Sequence, residues 1–186
     1  MKKNAVTGAI IAIIAAVVTL VTPAVAQASP YCGIYWGSLA KDGTGQSLPG
    51  AGALTNVRAG QHDCYDRLVI DFNGPASGYH VEYVGGVPQQ ALGNDLVLRG
   101  GAFLNIVLRT TAYNIDTGAA TYAPENRTEL VNVQGWRTLQ QVSFGGSFEG
   151  YTTVGVGVRA RLPFRVFTLP GPDSASRLVI DVAHSW

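Results

Sequence analysis

Two stretches of this 186-residue chain, DRLVIDFNG (residues 66–74) and SRLVIDVAH (residues 176–184), share the word Arg-Leu-Val-Ile-Asp. Read as β-strands, both copies sort their side chains in the same way. Leu68, Ile70 and Phe72 fall on one face and Arg67, Val69 and Asp71 on the other; Leu178, Ile180 and Val182 are likewise opposed to Arg177, Val179 and Asp181. Each copy therefore offers an apolar face to a core and an Arg-Val-Asp face outward. An antiparallel pairing of the copies sets Arg67 opposite Asp181 and Asp71 opposite Arg177, each exposed pair contributing about 0.2 to 1 kcal/mol. A parallel register places like charges side by side. The antiparallel arrangement is expected, and it brings the two ends of the domain into one sheet. The alternative use of Asp71 and Asp181, as a catalytic carboxylate dyad, fits less well with arginines on the same strand faces.

Working outward, period-two alternation recurs between turn signals, and no window of helical length holds a three-four apolar spacing. Strands are expected at 67–72, 79–84, 95–99, 102–110, 128–133, 139–144, 152–160, 164–169 and 177–183. They are separated by Asn73-Gly74-Pro75, Gly85-Gly86, Gly100-Gly101, Gly145-Gly146 and Pro170-Gly171-Pro172-Asp173. Many short strands at this spacing predict an all-β fold, an antiparallel two-sheet β-sandwich.

The N-terminal segment has a different character. Met1-Lys2-Lys3, an apolar run from Ala9 to Val21 and the ending Ala26-Gln27-Ala28 describe a secretory signal peptide over residues 1–28, cleaved after Ala28. An uncleaved membrane anchor is the competing reading. Cys32 follows Ser29-Pro30-Tyr31 rather than a lipobox, so lipid attachment is not expected. Loss of Lys2 and Lys3 leaves eleven basic residues against twelve acids, which is no nucleic-acid footprint. The remaining chain of about 158 residues fits one ordinary domain with no membrane span. In an oxidising compartment Cys32 and Cys64, the two cysteines of the chain, are expected to form a disulfide. Loop-closure entropy for that bridge is roughly 3 to 4 kcal/mol. It ties a Gly/Ser-rich arm, residues 29–60, with Tyr31, Tyr35 and Trp36 beside the first cysteine, onto a domain spanning 61–186.

The runs HDCYDRLVIDFNG, GYHVEYV, LRGGAFLNIVLR, GGSFEGYTTVGVGVRARLPFRVFTLPGP and RLVIDVAH together resemble the AMIN-like domain of exported bacterial proteins and lipoproteins. The resemblance covers about residues 61 to 186 and is most specific from Phe148 to Leu169. It implies a β-sandwich related to the AMIN module, which in cell-wall amidases is non-catalytic and directs its host to peptidoglycan or the division site. It supplies no catalytic residues and no cofactor.

Candidate sites come from the residues themselves. In TVGVGVRARLPFR, Val154, Val156 and Val158 alternate with Gly155 and Gly157, and glycines on a strand face admit another layer or a ligand. Arg159, Arg161 and Arg165 follow at odd spacing and share that glycine side unless Pro163 resets the register. Forked guanidiniums suit carboxylates of peptide stems or phosphates of wall polymers; internal pairing with Glu149, Asp173 or Asp181 is the simpler alternative. Tyr79 and Tyr83 share a strand face, and Tyr113, Tyr122, Trp136 and Tyr151 fall near strand ends, where a ring with a polar tip serves packing or glycan stacking. Ser147 in GGSFEG lacks the context of a nucleophile elbow. His62, His80 and His184 lack metal-site spacing, and His62 and His184 are expected at opposite ends of the paired strands, so no metal is expected. The sequon Asn126-Arg127-Thr128 reads as coincidence in a bacterial exported protein. The resulting expectation is a non-enzymatic envelope protein that binds peptidoglycan or another wall polymer. The alternative is an interaction module that recruits an envelope protein through a sheet edge.

Overall fold

A computed structural model describes residues 30–45 and 49–186; the expected signal peptide and its cleavage point lie outside the described residues. Among the described residues there are nine strands: β1 (Lys41–Gly43), β2 (Leu54–Gln61), β3 (Tyr65–Phe72), β4 (Tyr79–Val84), β5 (Ala102–Leu108), β6 (Leu139–Phe148), β7 (Tyr151–Val158), β8 (Phe164–Pro170) and β9 (Ser176–Ala183). They form two antiparallel sheets, five-stranded in the order β1-β4-β5-β7-β6 and four-stranded in the order β2-β3-β9-β8. The expected β-sandwich is the observed architecture.

The repeated words are β3 and β9, and they pair antiparallel in the register read from their charges, with Arg67 opposite Asp181, Val69 opposite Val179 and Asp71 opposite Arg177. Parity then fills the core. Leu68, Ile70, Phe72, Leu178, Ile180 and Val182 are buried against Val81, Leu104, Ile106, Val154 and Val156 of the other sheet. A fully buried aliphatic side chain is worth about 1.5 to 3 kcal/mol, so this two-sided layer dominates the stability of the fold.

Two expected strands, 95–99 and 128–133, join neither sheet, and the second is a run of turn and bend. The first lies across the glycine face of β7. A Cβ on Gly155 would stand 2.6 Å from Leu96 Cδ1, and one on Gly157 would stand 1.8 Å from the Arg99 carbonyl oxygen. Bare backbone on β7 is thus filled by backbone and leucine side chains from this crossing segment. The second runs along the outer edge of β6, where Leu130 N–H donates to Val142 O and Phe144 N–H to Arg127 O, both through isolated bonds. The strands β1 and β2 were not expected, and the division at residue 60 falls inside β2. A bulge between Leu54 and Asn56 explains why the alternation there is hard to read. It lets Leu54 and Val57, an odd number of residues apart, both enter the core.

The arm is strapped as the cysteines suggest, by a Cys32–Cys64 disulfide. From there it crosses the side of the sandwich and touches both sheets. Phe164 N–H on β8 donates to Gly37 O, and three residues of β1 then pair with β4. The Lys41 ammonium lies 4.8 Å from the Phe164 ring centroid, between the two contacts. One short segment therefore covers an edge of each sheet.

Gly157→Ala is expected to cost about 1 to 3 kcal/mol, because the atom it meets is backbone and cannot swing aside. Gly60→Ala, whose added methyl meets open space, should stay within about 0.5 kcal/mol of the parent. Urea denaturation of both variants is the check, and equal midpoints would contradict the crossing geometry. An imidazole between two carboxylates latches β1 to β4. His80 Nδ1 is 2.7 Å from Asp42 Oδ1 and its Nε2 is 3.3 Å from Glu82 Oε1. The hydrogen bond to Asp42, followed by the nearby charges and the bond to Glu82, raises the His80 pKa above 6.5 despite partial burial. The stabilisation is therefore complete below the unfolded value of about 6.5 and is lost as pH rises through the higher folded value. The stability difference between the parent and His80→Gln should be larger at about pH 6 than at about pH 8.5, and a pH-independent difference would refute the latch.

Candidate functional site

Strand parity puts Arg67 and Asp71 of β3, Arg177 and Asp181 of β9 and Arg165 of β8 on the outer face of the four-stranded sheet. Asp181 is fully buried there and receives two guanidinium forks. Arg67 Nε and Nη2 donate to it at 2.6 and 2.9 Å, and Arg165 Nε at 2.8 Å, with Arg165 Nη2 at 2.7 Å. Rings enclose the cations. The Arg165 guanidinium lies 5.3 Å from the Trp36 centroid, 5.4 Å from Tyr65 and 5.1 Å from Phe167, and Arg67 lies 5.2 Å from Tyr65. His62 stacks on the far side of this group, 4.5 Å from Tyr65. The disulfide-tied arm contributes Trp36, so the sheet face and the arm are joined by charge and by ring contact together.

The second expected pair has a different partner. Asp71 stands opposite Arg177 in the backbone register but accepts from Arg58 Nε at 2.8 Å and Nη2 at 3.0 Å. Arg177 turns instead to the Pro170 carbonyl. Its Nε is buried without a hydrogen-bond partner. Asp71 and Asp181 are thus held by separate arginines, in an arrangement suited to holding strands rather than to sharing a proton.

The arginine trio is divided by the turn at Leu162-Pro163. Arg165 belongs to the sheet face just described. Arg159 and Arg161 remain at the corner between β7 and β8, where Arg159 Nε donates to Arg137 O at 2.9 Å and Nη2 to His184 O at 2.9 Å. Arg161 donates to Ser38 O at 3.1 Å and lies 5.0 Å from the Tyr83 ring centroid. Trp186, 71 % exposed, donates its indole N–H to Arg161 O. Arg137, Arg159, Arg161 and Trp186 therefore form one cationic, aromatic end of the sandwich. Among the described residues none of these three arginines has a carboxylate within 4 Å, whereas Arg58, Arg67, Arg99 and Arg165 each do.

The tyrosines separate in the same fashion. Tyr79 is buried, and its ring fills the space beside Gly43. Tyr83 donates to Leu162 O at 2.8 Å and accepts from Leu162 N–H at 3.1 Å, and burial pushes its phenol up to about 12. Both pack internally. Tyr151 is 47 % exposed and stands with Phe148 on the β6–β7 hairpin, whose turn uses Glu149 and Gly150 at φ 47° and 82°.

His62 and His184 are at the same end, contrary to the expectation, because antiparallel pairing brings the residue before one copy beside the residue after the other. His184 N–H donates to Cys64 O. Its ring meets the fully buried Asp66, Nε2 to Oδ1 at 3.0 Å, while Nδ1 faces Asp63 O at 3.1 Å and donates, since a carbonyl only accepts. Asp66 Oδ2 also accepts from Thr138 and Leu139 N–H at 2.8 and 3.0 Å. Among the described residues no group of three His, Cys, Asp or Glu side chains is arranged to hold a metal.

Asp181→Asn leaves two partly buried guanidiniums without a full counter-charge and is expected to cost about 3 kcal/mol, with Asp71→Asn costing under about 1 kcal/mol, because Arg58 is half exposed. Equal small losses in urea denaturation would show that the Asp181 cluster does not hold β3, β8 and β9 together.

Among the described residues no helix is long and apolar enough to cross a membrane. No curated protein and no solved structure matches the chain. A family model for the AMIN-like domain matches residues 52–184, which takes in strands β2 to β9, including the part of β2 that falls within the expected arm of residues 29–60. The match spans both sheets, the Asp181 cluster and the arginine corner. A two-sheet sandwich matched over most of the chain makes this protein a member of the AMIN-like domain family, a membership that points to an envelope-associated module.

Proposed function

We propose that the module works by binding rather than catalysis, and that it attaches to peptidoglycan or an associated anionic wall polymer through the end formed by Arg137, Arg159, Arg161 and Trp186. The observation that carries this reading is the division among the arginines. Arg67 and Arg165 neutralise Asp181 and Arg58 neutralises Asp71, while at this end Arg159 and Arg161 donate to backbone carbonyls, Arg161 lies over the Tyr83 ring, and among the described residues Arg137 has no carboxylate within 4 Å. A guanidinium bonded to a carbonyl keeps its charge and its remaining N–H groups, which suit the carboxylates of stem peptides and the phosphates of wall polymers. Trp186 adds a flat exposed ring beside them.

Co-sedimentation with purified insoluble peptidoglycan tests the reading. The parent chain should pellet above a control protein of similar charge, and the Arg159→Ala, Arg161→Ala double variant should pellet roughly fivefold less, with loss on raising salt. An unchanged melting temperature in that variant keeps the comparison clean. No pelleting of the parent, together with a single dominant crosslinked protein in intact cells, would instead favour recruitment through the outer edge of β2, which begins the order of its sheet.

A further inference from the structure

The opposite end of the sandwich carries a groove of about 520 Å3, lined by Tyr113, Tyr122, Phe144, Phe148, Leu92 and Arg127 among others. That volume is within the range of small-molecule sites. Its walls are held by main-chain bonds rather than by loop packing alone. Gln90 N–H donates to Gly145 O at 2.7 Å, Tyr122 N–H to Ala112 O at 3.1 Å, and Phe144 N–H to Arg127 O at 2.7 Å. The Tyr122 ring stands edge-on to Phe144, centroids 5.8 Å apart at 75°. Phe148 and Leu92 at the rim are 48 % and 66 % exposed.

Among the described residues Arg127 is the only formally charged one lining the groove. Its guanidinium lies 4.9 Å from the Phe144 centroid, so its position is set by the ring. No carboxylate among the described residues approaches it: Glu129, two places along, is taken by Arg99, and Glu125 forms no ion pair. A site with aromatic walls, phenol and amide groups on its lining and one unneutralised cation calls for a ligand with a flat C–H face, hydroxyls and one negative charge.

We propose that this groove binds a pyranose sugar that carries a carboxylate. The ring faces of Tyr122 and Phe148 stack on the sugar, the Tyr113 and Tyr122 phenols meet its hydroxyls, and Arg127 takes the carboxylate. The Tyr122 phenol, like any tyrosine hydroxyl, is protonated at neutral pH and can donate. This site is separate from the arginine end. β7 starts at Tyr151 beside the groove and ends at Val158 before Arg159, a span of roughly 25 Å for an extended strand of that length.

Amide chemical shifts of the purified protein, titrated with two matched pairs, test the assignment. One pair is methyl glucuronide and methyl glucoside; the other is N-acetylmuramic acid and N-acetylglucosamine, and within each pair one member bears the carboxylate. The expected result is that the acid of at least one pair shifts Gln90, Tyr113, Tyr122 and Phe148, with its neutral counterpart roughly tenfold weaker. Arg127→Gln should erase that difference, and Phe148→Ser, a change at an exposed hairpin position, should weaken both members. Which pair responds identifies a uronic or a muramic source. The proposal is overturned by an absence of shifts with either acid, by equal binding of acid and neutral sugar, by an unaltered preference in Arg127→Gln, or by shifts confined to Arg159 and Trp186. Wall co-sedimentation can fail without changing any of these outcomes.

Discussion

Antiparallel pairing of β3 with β9 joins the start of the domain to its finish, and the Asp181 carboxylate holds that seam to β8. Because Asp181 is fully buried, its two arginines are committed to it, and the rings around them exclude water from one side of the cluster. The inner face of the same two strands supplies Leu68, Ile70, Leu178 and Ile180 to the core. One register therefore satisfies both faces: a slip by one residue would send the charges inward and the leucines out. The rest of the sandwich is assembled against this pair.

The same constraint explains where function can reside. Charges that hold the seam are not free to bind, so the sheet face with most of the cations is the least available. Cationic capacity is left to positions that lie beyond the strands, at the β7–β8 corner and on the segment beside β6. Both flank β7 or its neighbour, and both depend on backbone segments that are anchored but not part of a ladder.

What was legible in the sequence follows from how strictly side-chain parity is kept. β3, β4, β8 and β9 alternate without interruption, and their positions and the charge register of the seam could be read directly. β2 was hidden because its bulge breaks the alternation, and 95–99 read as a strand because an extended segment laid on glycines has the same pattern as a paired one. The arginine trio is split by the reset at Pro163 that the sequence left open as the alternative to a shared side. The position of His184 beside Cys64 was implied by the same register that set Arg67 against Asp181. The groove could not be read at all, since its residues come from four separate segments that only the folded chain brings together.

The arm illustrates a different economy of design. A single covalent link at Cys32–Cys64 governs a strap that caps β8 through Gly37 and β4 through three residues of β1. Without that link the strap would rest on those short contacts, on Trp36 against Arg165 and Tyr65, and on the bond from Arg161 to Ser38 O. The one covalent bond of the arm thus guards two strand borders at a time, and such borders are where β-proteins are open to strand addition.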